Sequence, residues 1–215
     1  AKADLALASS DALAACLLAL MDHVAPGRPF AVAGQSFGGY LALGLATQHP
    51  ERVLGLGLVC PLTLPDLGAR QVEKLELIRH DNAFLATLSD AERESFLQLA
   101  VRADRQTWER FATEEAPGFS AANPTFMDAV DEHLPLSPSV DDALAEQPFE
   151  KPTLILCGRQ DAMVGYRDQL RLIQHLPRCT FAILDISGHN LQFEQPALFT
   201  TLTADWIGRL LEESH

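Results

Sequence analysis

The chain has 215 residues, 47% hydrophobic and 21% charged, a length and composition that suit one well-filled globular core rather than a disordered or fibrous chain. Its formal net charge of −13 repels phosphate backbones and anionic lipids, which argues against nucleic acid or a membrane surface as partner.

In chain order, residues 11–24 predict an amphipathic helix entered from Ser9 and Ser10 and ended by Pro26 and Gly27. The stretch is too short to span a bilayer, and Asp4 and Asp11 interrupt it. Residues 29–33 predict a short buried strand, and residues 37–49 an Ala- and Leu-rich helix that stops at Pro50. Residues 52–60 form a continuous apolar run, as expected of a parallel strand covered on both faces, with Gly55 and Gly57 making room for packing. From residue 61 to 147 the pattern is helical, broken by prolines, and no strand is predicted. Ser89-Asp90-Ala91-Glu92 is a capping box, and Asn123-Pro124 and Ser139 open further helices. An insertion of this length is expected to be functional. Residues 61–150 hold 18 acidic and 7 basic side chains. Most read as solvated helix faces, while any carboxylate turned inward would suit a cationic amine and disfavour acyl-CoA or phosphorylated compounds. Residues 151–161 and 179–190 are two apolar strands, each running into a loop, with a helix at 166–175 between them. A final helix entered at Gln195-Pro196 carries Leu198, Leu202, Trp206 and Leu210 four residues apart, one face for the sheet.

The four cysteines, Cys16, Cys60, Cys157 and Cys179, show no Cys-x-x-Cys pair and no metal-ligand spacing. They read as reduced, mostly buried thiols of a cytoplasmic protein without a structural metal. His23, His49, His80, His133, His175 and His215 read as solvated or capping groups near helix ends, with His133 the one candidate to face a pocket.

The chemistry is concentrated in Gly34-Gln35-Ser36-Phe37-Gly38-Gly39, a Gly-x-Ser-x-Gly sequence set between the strand at 29–33 and the helix at 37–49. Ser36 reads as a nucleophile. A serine held above a strand end and starting a helix needs a strained turn, for which Gly34 and Gly38 leave room. The helix start brings free N–H groups and positive dipole, and the Phe37 N–H is the natural first oxyanion donor. Downstream, Gly158-Arg159-Gln160-Asp161 and Ser187-Gly188-His189-Asn190 each follow a strand.

With these three motifs in the order Ser, Asp, His, the chain resembles the α/β-hydrolase superfamily over essentially its whole length. The resemblance implies an α/β fold: a mostly parallel sheet with flanking helices, a core from residues 1–60 and 148–215, and a helical cap from 61–147. It also implies that Ser36 attacks a small carboxylic ester, that His189 transfers the protons and that Asp161 orients His189, with no cofactor and a small molecule as the partner. Asp185, four residues before His189, is the nearest rival acid and reads as a loop anchor; the earlier strand ends in Cys60-Pro61-Leu62-Thr63 with no carboxylate until Asp66. Trp108-Glu109 is weakly similar to the stretch with which proline-iminopeptidase relatives hold an amino end. Such a peptidase, a carbon–carbon bond hydrolase, a perhydrolase and a non-catalytic binder on the same fold are the alternatives. The family places further strands ahead of residue 11, one loop of which supplies a second oxyanion donor. Because no His-Gly pair occurs, the expectation is an N-terminally incomplete chain with one apolar strand edge open to association.

Overall fold

The computed structural model describes residues 4–213. His215 and the outermost residues of the predicted core therefore lie outside the described residues. Four strands, β1 (Phe30–Gln35), β2 (Val53–Val59), β3 (Thr153–Gly158) and β4 (Cys179–Leu184), form one parallel sheet whose spatial order follows the sequence. Three long helices accompany it: α1 (Ser10–Val24), α2 (Phe37–Gln48) and α3 (Pro196–Glu213).

The continuous apolar runs become the inner strands. Every residue of β3 is buried, and Leu56 and Leu58 of β2 are fully enclosed. A Cβ at Gly55 would strike the Leu210 side chain, and one at Gly57 would lie 3.0 Å from the Trp206 ring, so both glycines let α3 lie close on the sheet. The Trp206 indole N–H, 6% exposed as a residue, donates to the Pro152 carbonyl at 3.0 Å. Leu198 departs from the predicted face and is 49% exposed. At 3.6 residues per turn a four-residue interval drifts about 40° per step, so three steps carry Leu198 off the stripe. Phe199 packs against the core instead.

β1 departs from the predicted buried strand, while its open outer edge is as expected. It alternates half-buried with exposed residues, Ala31 and Ala33 among the latter, and no described strand lies on its outer side. Only Ser10 and Ala14 of α1 are buried; Leu17 and Leu20 remain exposed beside an apolar groove of about 470 Å³ along β1 and α2. Of the thiols predicted to be mostly buried, Cys60 and Cys157 are buried, Cys179 is half-buried and Cys16 is exposed.

Between β2 and β3 the chain makes its long, mainly helical excursion. The predicted caps form: Ser89 and Glu92 bond reciprocally, Asn123 accepts from the Phe126 N–H at 3.1 Å, and Ser139 caps Val140–Glu146. The excursion does contain strand, as Arg79–His80 pairs in parallel with Arg102–Ala103. Two-residue strands are too short to leave a periodic signal. Phe84, Phe96 and Phe111 make a small core of their own, closed by Phe193 from the segment after β4. Among the described residues no helix is long and apolar enough to cross a membrane.

Candidate active site

The C-terminal ends of the parallel strands carry the site. Ser36 stands between β1 and α2 with φ 53°, a left-handed conformation that costs an L-residue on the order of 1–3 kcal/mol. Its N–H donates to Val59 and its carbonyl accepts from Leu62 at 2.9 Å, so the strained turn is held from the neighbouring strand end. A Cβ at Gly34 would collide with the Gly38 carbonyl, and one at Gly39 would lie 2.9 Å from the Pro61 Cβ. Gly38 behaves differently from the prediction, since a Cβ there would meet nothing within 4 Å. The turn needs its missing side chains at Gly34 and Gly39. Phe37 opens α2, where its N–H has no acceptor within the helix.

Asp161, fully buried on the loop after β3, uses both oxygens. Oδ1 accepts from the Met163 and Val164 N–H groups at 2.7 and 3.1 Å, and Oδ2 meets the His189 Nδ1 at 3.0 Å. Ser36 and His189 line one cavity. Asp185 lies apart from this pair: exposed, it accepts from the Gln160 amide at 2.9 Å, which lowers its pKa and pins the loop. Neither His133 nor Glu109 comes to the site. His133 is exposed and bonds its ring Nδ1 to Ala129, and Glu109 is exposed on Arg105–Arg110.

Cys60 adds a sulfur beside the pair, the ligand atoms of Cys60, Asp161 and His189 lying within 4.8 Å of one another. Burial first, and then the Asp161 charge, push the Cys60 thiol well above its ordinary value. It therefore stays protonated, with its sulfur 3.5 Å from the Gly188 carbonyl, and Asp161 and His189 are already committed to each other. A protonated thiol is a poor metal ligand.

Three further residues organise the site and were not singled out for these tasks by the sequence. The Gln35 side chain donates to the His189 carbonyl at 2.9 Å and accepts from Gln192 at 3.0 Å, tying the serine turn to the histidine loop. Glu194 accepts from Gly188, Val101 and Arg102 N–H groups at 2.6, 2.6 and 2.9 Å, joining that loop to the long excursion. Burial pushes the Glu194 pKa up against the pull of those three donors. Glu115 closes the π-helical turn Phe111–Glu115 and lines the cavity shared by Ser36 and His189. The only advance signal was the acidic excess of the excursion. Replacing Gln35 by leucine is expected to loosen the histidine loop and lower kcat about tenfold, the equivalent of one hydrogen bond of roughly 1.4 kcal/mol, with KM little changed. Steady-state kinetics on one substrate checks this, and an unchanged kcat would show that the link is only structural.

Ser36 lines a second cavity, of about 310 Å³, walled by Phe37, Leu62, Met127, Val130 and Leu134. Arg70 and Asp131 also line it. Arg70 donates through Nε and Nη2 to the Leu64 and Pro65 carbonyls at 2.9 and 3.2 Å, and burial lowers its pKa.

A parallel sheet whose strand ends present a strained serine and a bonded Asp–His pair defines a class, and comparison with known proteins agrees with it. Residues 7–196 match the pattern of the alpha/beta hydrolase fold family, and the chain belongs to that family. It is 26% identical over 194 residues to a monoacylglycerol lipase of Xenopus laevis, covering 85% of this chain and 56% of that protein. It is 28% identical over 195 residues to the 2-hydroxymuconate semialdehyde hydrolase of Pseudomonas putida, covering 82% of this chain and 61% of that one. The chain thus spans less than two thirds of the length of these relatives. Among solved structures, an alpha/beta superfamily hydrolase from Oenococcus oeni superposes with a TM-score of 0.86 at 25% identity, covering 94% of this chain and 75% of that one.

Proposed function

We propose that the protein is a serine hydrolase that cleaves a small carboxylic ester through an acyl-enzyme on Ser36. The observation that carries this reading is the Asp161–His189 bond beside the cavity that Ser36 shares with His189. Asp161 fixes the ring with its proton on Nδ1, leaving Nε2 free to take the Ser36 proton as the oxygen attacks the ester carbonyl. His189 then returns that proton to the departing alcohol. Water attacks the acyl-enzyme by the same route, releasing the acid and restoring Ser36. The Phe37 N–H supplies one oxyanion donor. The lipase relative supports an ester, and no cofactor is needed for this chemistry.

A second reading rests on Arg70. A cation on the cavity beside Ser36 would suit a substrate carboxylate, as in a ring-cleavage product split at a carbon–carbon bond, the type of activity named for the Pseudomonas relative. Asp131 on the same cavity offsets that charge, and two of the guanidinium nitrogens are already spent on backbone carbonyls, which favours the ester. Treatment with an organofluorophosphonate should add one adduct by intact mass, absent from Ser36→Ala. A panel of short-chain esters, aminoacyl amides and a diketone acid then decides the bond: turnover of the diketone acid alone would sink the ester assignment, and so would turnover of the amides alone.

A further inference from the structure

The two cavities at Ser36 have different neighbours, and on the ester reading that difference assigns them. The leaving alcohol must lie where His189 can protonate it, so the cavity of about 320 Å³ lined by His189 is the alcohol side. The cavity walled by Phe37, Leu62 and Val130, which His189 does not line, is left for the acyl chain. The alcohol side is mostly apolar, with Leu99, Phe119 and Met163 on its wall, yet it also contains Glu115.

Oε2 of Glu115 is buried and accepts no hydrogen bond from the described residues. No Lys or Arg nitrogen among the described residues lies within 4 Å of that carboxylate. Burial raises the pKa of the carboxylate, opposed by the charge of His189 and by hydrogen bonding from the Asn190 side chain, so that Oε2 is the oxygen left open. A buried acceptor left without a donor is costly, and a bound ligand carrying a donor would recover that cost. The same arrangement discriminates strongly, because an analogue that lacks the donor leaves the acceptor buried and unpaired.

We infer that Glu115 is a specificity residue that accepts a hydrogen bond from the leaving alcohol, so that the substrates are esters of alcohols bearing a second, free hydroxyl. A neutral hydroxyl fits better than an ammonium. His189 becomes an imidazolium when it takes the Ser36 proton, and Glu115 already faces that charge. A cationic alcohol would bring a second positive group beside it.

The inference rests on the ester reading, and its test separates the two. The intact protein is assayed with the propyl, 2-hydroxyethyl and choline esters of one short acid, alongside Glu115→Leu and Glu115→Gln, each checked for Ser36 labelling by a fluorophosphonate. The expected result is a preference for the 2-hydroxyethyl over the propyl ester in kcat/KM. That ratio falls about tenfold in Glu115→Leu and is largely retained in Glu115→Gln, which keeps an acceptor oxygen. A wild-type protein that treats the 2-hydroxyethyl and propyl esters alike overturns the inference while leaving the ester reading intact, as does a ratio that Glu115→Leu does not move. A preference for the choline ester that Glu115→Gln abolishes overturns it in favour of charge pairing. Absence of turnover of any ester removes both readings together.

Discussion

Replacing Asp161 by asparagine is expected to lower kcat about ten-thousand-fold while leaving the fold intact, the order of loss seen when a triad acid is made an amide. The geometry dictates which way the amide must sit. Oδ1 holds two backbone donors, from Met163 and Val164, so the asparagine oxygen is kept there and its NH₂ group is driven onto the His189 ring. Nδ1 must then accept, the ring proton moves to Nε2, and the nitrogen needed to take the Ser36 proton is no longer basic. The two backbone bonds survive, so thermal unfolding should stay within a few degrees of the parent. A variant that keeps more than a tenth of the parent kcat would show that the Asp161–His189 pair does not drive the reaction.

The second large effect falls on stability. Glu194→Gln preserves volume and is expected to cost about 2 kcal/mol, or a drop in Tm of roughly 6 °C for a chain of this size. One carboxylate oxygen accepts from Val101 and Arg102, the other from Gly188, and every partner is a donor. Glutamine can satisfy only one side; its NH₂ group must face an N–H at the other, inside a buried site. The damage should extend to activity, because Gly188 immediately precedes His189 and the bond from Glu194 is what joins that turn to the segment at Val101. Calorimetry on both proteins tests this, and Tm values within 1 °C of each other would contradict it.

The legibility of the sequence follows the range of each interaction. Ser36, its glycine-flanked turn, and the Asp161 and His189 loops could be read because each is a local pattern at a strand end, and the three together specify their meeting place. The caps at Ser89, Asn123 and Ser139 were equally legible, since a cap is settled within four residues. The tasks of Gln35 and Glu194 were not, because Gln35 reaches His189, 154 residues away, and Glu194 joins the nearby Gly188 to Val101, 93 residues away. Nothing within a few residues of Glu194 distinguishes a buried bridging carboxylate from a solvated one. Gly38 shows the limit of a motif: the pattern marks the turn, yet the close contacts fall on Gly34 and Gly39. The drift of Leu198 follows from the 3.6-residue helix period, whereas the exposure of Ala31 and Ala33 in the half-open strand β1 is a tertiary outcome. Apolar character alone does not say on which side of a strand or helix the neighbour will be.

That half-open strand has a consequence for isotope exchange. The N–H of Phe30 donates to Arg52 and that of Ser36 to Val59, so along β1 the even-numbered amides point toward β2. By the two-residue period of a strand, the amides of Ala31, Ala33 and Gln35 point the other way, where no described strand receives them. In deuterated solvent the six residues of β1 should therefore split into two interleaved rates, slow at 30, 32 and 34 and fast at 31, 33 and 35. Among the described residues, the strand that leads into the Ser36 turn is thus paired along one edge only, by the strand from Val53 to Val59.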